Sequence, residues 1–494
     1  MLPAKSRTPL PLGGLLAIGL AATLIFIAVA FWALCAISTG TLWFWEGRPD
    51  GKISVFLTSA EYLDFVRSSV TFGGAVALGA TLLLAFRRQQ TNDRLRFLAE
   101  QNLTHERTKE SSRLSELADQ RTVEMERELR SRFAAVSAQL GHEKSAVRLA
   151  GIYALGALAD EWHAFGRDDE RQVCIDVLCA YVRLPYDPDS ERAQLEGERE
   201  VRLTAIKVVR DHLRANANEN ANWRSCAIDF SGTTFDGGDL SGIVIDGGVI
   251  SFAGSKFVRN DFSLAEAVLS DGSLDFAGAR MADGSLNLHG FRQTGGTVSF
   301  NGFVLLSGSL RMTHMKVSKG IFDCSELTQE AGLINFASSA FVKSTLLFDS
   351  AVLAGGRLLF QRTRFNNTEI NFYDTMLRGV SARFFGCNFK KSKFSFEDAQ
   401  FESGRVTFLN STFNNSDLSF ESAVFNGAHL EIKRSPHHSG MFLFQSASFN
   451  SGQVNLDSSS RQGGTIEFEG ASVQLGVLRM DGAEYNPAAP LTSV

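Results

Sequence analysis

The sequence predicts a membrane-anchored chain of α plus all-β class: two transmembrane helices, a helical stalk, a small α-helical domain, then a β-solenoid. Three observations predict it. Two long uncharged apolar runs lie within the first 90 residues. A Pro-free polar stretch with helical apolar spacing follows. From there the back half repeats every twelve residues, as a stacked architecture requires.

The repeat runs from Ile228 to Tyr485. Stepping by twelve from Ile228 through Leu240, Phe252 and Phe408 to Met480 meets an apolar residue every time. A second apolar series runs two residues earlier, from Ile250 through Phe322, Ile370 and Phe394 to Leu478. One unit, RVTFLNSTFNNS (Arg405 to Ser416), shows the grammar. Val406 and Phe408 alternate with polar neighbours, as in a short strand with one buried face. A small residue follows at Ser411 (Ala399 and Ala423 in neighbouring units), then a second large one at Phe413 (Phe401, Phe425). Gly recurs at the turn, where positive φ costs it nothing. Each unit is thus strand, corner, strand, turn. No unit buries its own apolar face, so coils must stack, about 4.8 Å apart. A slip of one residue would turn every later side chain to the wrong face, and the series shows none. One coil holds one unit or two. The alternation Phe252, Leu264, Phe276, Leu288, Phe300, Met312 points to two. Twenty units make a rod of roughly 100 Å or roughly 50 Å accordingly.

The N-terminal part reads in order. Gly13 to Ser38 is long enough to span a bilayer, and Ser68 to Phe86 just so. Trp43, Phe44 and Trp45 form an interfacial aromatic belt. Lys5 and Arg7 precede the first span, and Arg87, Arg88, Arg94 and Arg96 follow the second. The positive-inside rule puts both ends in the cytoplasm and the short loop between the spans outside. Residues 91–132 continue as a helical stalk whose thin apolar stripe reads as a coiled coil joining copies, or as a solvated linker helix. Residues 133–215 form the α-helical domain. It contains an echo: Val147, Arg148, Leu149 and Ile152 match Val201, Arg202, Leu203 and Ile206 at a shift of 54. The two arginines are expected to pair with local acids. Residues 216–225 read as a polar linker, 226–485 as the solenoid and 486–494 as a tail that guards the last edge.

The segments RFAAVSAQLGHEKSAVRLAGIYALGALADEW, RQVCIDVLCAYVRLP, EREVRLTAIKVVRDHL and CAIDFSGTTFDGGDLSG follow one another here. Together they resemble bacterial membrane-anchored pentapeptide-repeat-containing proteins. The resemblance covers roughly residues 10 to 250. It implies two membrane helices and a helical segment before a right-handed, pentapeptide-repeat-like β-helix. Phe230, Phe235 and Leu240 do step by five. Beyond Phe252 the period is twelve, which argues against a square four-sided coil for most of the rod.

The sequence carries no sign of chemistry. It has no Walker loop, zinc-type Cys/His quartet, His-Glu-x-x-His or nucleophile elbow. No enzyme, cofactor or metal site is expected. The six cysteines (35, 174, 179, 226, 324, 387) have no paired spacing and read as buried apolar residues in a reducing compartment. His429, His437 and His438 cluster at a unit whose second Phe is missing, and read as a solvated bulge rather than a metal site. Residues 229–275 hold eight acidic and two basic side chains. Residues 357–393 hold eight basic ones, Arg357, Arg362, Arg364, Arg378, Arg383, Lys390, Lys391 and Lys393, against two acidic. These eight are the candidate interaction patch.

The expectation is a non-enzymatic integral membrane protein that presents a cytoplasmic solenoid as a scaffold for a protein partner. Its partners are the lipid bilayer, a protein the sequence does not name, and further copies through the stalk. Two other readings stand beside it. A DNA mimic that inhibits gyrase, as some pentapeptide-repeat proteins do, sits badly with 21 basic against 26 acidic residues from 226 to 494, and no nucleic acid is expected. A stress or phage-defence effector forming a pore lacks an ionisable residue in either span to line it.

Overall fold

The computed structural model describes residues 12–39, 45–47, 53–55, 58–190, 197–214, 221–456, 463–480 and 483–485. They fall into two compact units, Met1–Val123 and Glu124–Val494. Lys5, Arg7, Trp43, Phe44 and the tail 486–494 lie outside the described residues.

In the first unit, helix α1 (Leu12–Thr39) and the start of helix α2 (Ser59–Leu140) flank a two-stranded antiparallel hairpin, Trp45–Gly47 with Ile53–Val55. Thr58 and Glu61 open α2 as a capping box: the Glu61 carboxylate accepts from the Thr58 amide (2.9 Å) and hydroxyl (2.7 Å). No Pro occurs between Pro49 and Pro185, so nothing in the chain breaks the helix. The two helices meet on small residues. Ser69 and Gly73 are buried, and a Cβ at Gly73 would lie 2.2 Å from Ile27 Cγ1. The other faces carry exposed Leu24, Ile25, Phe72, Leu82 and Leu83. Both helices are long and apolar enough to cross a membrane.

In the second unit, the end of α2 packs with α3 (Ser145–Ala164), α4 (Asp168–Arg183) and α5 (Glu198–Leu213). Leu129, Val136 and Leu140 are buried, as their spacing predicts, while Met125 is exposed. The echoed arginines explain the internal repeat. Arg148 donates to the carbonyls of His142 (2.9 Å) and Glu143 (2.7 Å), just past the end of α2. Arg202 donates to Leu184 (3.1 Å) and Val182 at the end of α4. Arg202 thus satisfies an orphan carbonyl of the preceding helix, and Arg148 ties down the turn that follows one. Both are buried and share one carboxylate, Glu198, which also accepts from Tyr181 Oη at 2.9 Å.

The rest is a parallel β-solenoid of about 10 turns. Arg280 pairs with Val304, Val304 with Thr328, and Lys316 with Ala340, each one coil of 24 residues further on. One coil therefore holds two twelve-residue units, and the rod is the shorter of the two alternatives, roughly 50 Å. Each coil keeps four short strands, for example Thr297–Ser299, Val304–Leu305, Ser309–Arg311 and Lys316–Val317. The expected loss of a four-sided coil is thus corrected: alternate sides are lengthened and four sides survive. The Phe series splits into two columns. Phe336, Phe360, Phe384 and Phe408 stack face to face at 4.8, 4.9 and 4.5 Å. Phe348, Phe372, Phe396 and Phe420 stack on the opposite side at 4.6, 4.8 and 5.2 Å.

The twelve-residue register does not reach back to Ile228. Ile228 pairs with Ile250, a step of 22, and Phe230 takes the column position beneath Phe252, with ring centroids 5.7 Å apart. One corner of the first coil is two residues short: Phe235 pairs with Phe257, but Gly238 pairs with Phe262. Close approach also decides where Gly falls. At Gly296 φ is +67°, and a Cβ there would lie 2.3 Å from the Gly272 carbonyl oxygen in the coil below.

The helical domain caps the first coil. The Gln172 side chain mimics a strand, donating to the Ala227 carbonyl (2.7 Å) and accepting from its amide (3.2 Å). Arg183, Arg199 and Arg210 pair with Asp229, Asp236 and Asp239. The stretch read as a linker supplies Trp223, fully buried, stacked on His212 at 4.0 Å and donating to Asp160 at 3.1 Å. At the other end Ala483–Tyr485 folds back antiparallel on Val477–Met480.

Two stability predictions follow from this packing. Phe384→Ala opens a gap between two rings and lowers unfolding free energy by about 3–5 kcal/mol in denaturant titrations of the purified protein; a loss below about 1 kcal/mol would mean the columns do not carry the core. Glu198→Ala strands two buried guanidinium groups and costs about 3–5 kcal/mol, read as early melting of helical signal.

Candidate functional site

The eight basic residues of the sequence patch are all exposed, but the coil does not gather them together. Half a coil is twelve residues, so residues twelve apart lie on opposite sides. Arg383 points out from the strand Ser381–Phe385, Arg362 sits at the next corner, and Arg364 and Lys390 point out from the strands beyond it, with Lys391 at the following corner. Arg364 and Lys390 come from consecutive coils, since Arg364 pairs with Asn388 and Asn366 with Lys390. Arg357 begins the strand beside Ser381. None of these six has a carboxylate within ion-pair distance among the described residues. Arg378 and Lys393 are set off from them by acidic neighbours. Arg378 donates to Glu402 at 2.5 Å, and Lys393 stands in register between Glu369 and Asp417.

The corners dictate this display. Arg362 and Lys391 adopt left-handed φ of +55° and +51°. In each case a Ser or Thr follows whose hydroxyl takes up backbone groups. Thr363 Oγ1 donates to the Phe336 carbonyl at 2.9 Å, and Ser392 Oγ accepts from the Thr368 amide at 3.2 Å. The side chain before that hydroxyl has nowhere to go but outward.

The opposite corner is acidic. Asp349, Asp374, Glu397, Asp398 and Glu421 stand in successive coils just after the Phe348–Phe420 column. Burial first, then Glu421 and Asp398, push the Glu397 carboxyl above its usual range. Burial, with Asp323 and Glu369, does the same to Asp349. The sequence reading missed this ridge, because its members are spread over 72 residues. Writing the sequence in rows of 24 would have aligned them. By contrast, three of the eight acids in 229–275 are used up in pairing with the helical cap.

The histidine cluster does not form. His429 and His438 are exposed, whereas His437 is fully buried, so the expected solvated bulge is corrected. His437 fills the place of the missing Phe: it pairs with Phe413 and stacks on Phe442 at 4.2 Å and 9°. Neither ring nitrogen has a hydrogen-bond partner among the described residues. All six cysteines are buried. Burial pushes the Cys174, Cys179 and Cys387 thiols up to about 12, which keeps them protonated. Among the described residues no three His, Cys, Asp or Glu side chains converge as a metal site. A cleft of ≈ 660 Å³ opens beside Glu198, lined by His142, Arg148, Tyr181, Tyr186 and Asp187. Its Arg148, Tyr181 and Glu198 groups already bind one another, so it is a joint of the helical domain.

His437 makes stability depend on pH. Burial lowers its pKa, against the pull of Asp417 and with the push of His438. The unfolded chain then binds the proton more tightly, so stability is full above about pH 6.5 and falls as pH drops below it towards the folded-state pKa. His437→Phe should remove that fall and raise the thermal midpoint at pH 5.5. An unchanged pH profile in the variant would contradict the burial of a neutral ring. No family model, curated protein or solved structure matches this chain.

Proposed function

We propose that the chain is a non-enzymatic integral membrane protein of the bacterial plasma membrane, and that its pentapeptide-repeat-like solenoid is a cytoplasmic scaffold for an acidic protein surface. The observation that carries the scaffold reading is the set of six cations, Arg357, Arg362, Arg364, Arg383, Lys390 and Lys391, held outward on adjoining sides without a carboxylate partner among the described residues. Such an array attracts acidic partners and fixes their register. The anchor reading is supported by two apolar helices that meet on Ser69 and Gly73 and expose Leu and Phe elsewhere, as lipid-facing helices do. The positive-inside pattern supports the cytoplasmic side.

The test is in-cell crosslinking of the full-length chain, followed by mass spectrometry, beside a variant carrying Arg362→Glu, Arg364→Glu, Lys390→Glu and Lys391→Glu. A protein product that falls about tenfold in the variant and weakens with salt is expected. A product set that the four reversals leave unchanged would overturn the scaffold reading. Release of the chain by alkaline washing of membranes would overturn the anchor.

A further inference from the structure

The charges of the solenoid are segregated around its circumference and not along its axis. The basic side, centred on the Arg362 corner, and the acidic ridge, through Asp374 and Asp398, are half a coil apart, so they face opposite ways. They also occupy the same coils: the basic residues span 357–391 and the acidic ones 349–421. The cations come from adjoining coils, Arg357 and Arg364 from one and Arg383 and Lys390 from the next. Two copies placed side by side set the basic side of one against the acidic ridge of the other. Two copies related by a two-fold axis would set like against like.

We infer that neighbouring copies of this chain dock laterally, the basic side of one solenoid against the acidic ridge of the next. This names the acidic surface of the proposed scaffold as a second copy of the chain. It rests on that reading for one thing: a shared membrane concentrates the copies. Glu397 stands close to both Asp398 and Glu421 along the ridge, and that crowding of carboxylates is what a docked group of cations relieves. The contact is heterologous, so it propagates into a row or closes into a ring.

The test uses two differently tagged full-length copies expressed together, one with Gln361→Cys on the basic side and one with Tyr373→Cys on the acidic side. Both positions are exposed and all six native cysteines are buried, so a short bismaleimide reads only the new pair. Mixed products should exceed products between two Gln361→Cys copies by about tenfold, because like charges facing each other repel. Adding Arg364→Glu and Lys390→Glu to the first copy should abolish the mixed product. Adding Glu397→Lys and Asp398→Lys to the second should restore it. Lys is tolerated at such a corner, since Lys391 has the φ of Asp398. Mixed products no commoner than like products, or no rescue, would overturn the inference. Membrane fractionation of the same cells separates the two readings. A chain held in the membrane without mixed products sinks lateral docking alone. A chain in the soluble fraction sinks the anchor, and mixed products there would still support docking.

Discussion

Parallel backbone pairing between coils 24 residues apart is the constraint on which the solenoid depends. It places every side chain directly over its counterpart, about 4.8 Å away. Inside, this rewards repetition: flat rings such as Phe360, Phe384 and Phe408 stack without a void, and a hydroxyl such as Thr363 finds a carbonyl in the coil below. It also rules out a side chain where the turns touch, which is why Gly follows Gly at 272, 296 and 320. Where Gly is absent, at Thr368, Ser392 and Ser416, a hydroxyl bonds the next amide and the left-handed residue shifts one place earlier.

The same constraint makes the ends costly. A stacked ladder ends in unpaired amides and carbonyls. The helical domain meets the first end with a side chain that copies a strand, Gln172, and with arginines placed to reach Asp229, Asp236 and Asp239. That domain is in turn locked by Glu198 between two buried arginines. The cap and the rod are therefore energetically one body, and the shortened first corner is where a coil adapts to the cap rather than to another coil.

Much of this was legible in the sequence, because a twelve-residue apolar period has few structural solutions. Coil against coil stacking, the inward positions and the burial of Cys324 and Cys387 follow from it. Three things were not legible. Ile228 is apolar, so it fitted a series to which Phe230 belongs. His437 looks polar in one dimension, yet it occupies an inward position between Phe413 and Phe442. The basic patch appeared continuous because sequence proximity hides which side of the coil a residue faces. Arg378 and Lys393 are close to the others in number, but Glu402 answers the first and Glu369 and Asp417 flank the second.

Stacking also turns single choices of residue into stripes, and this has a consequence for the outer surface. A like-charged column of rungs 4.8 Å apart repels itself, so each carboxylate added to the ridge at Asp349, Asp374, Glu397, Asp398 and Glu421 makes the isolated rod less stable. Interspersed lysines would relieve this within one molecule, as Lys393 does between Glu369 and Asp417. Along the ridge no such cation is inserted. The cations stand instead on the far side of the same coils, where they cannot neutralise the ridge of their own rod. An arrangement that leaves both sides uncompensated within the molecule is at its lowest energy when the compensation comes from outside it, and the basic side of a neighbouring copy supplies it.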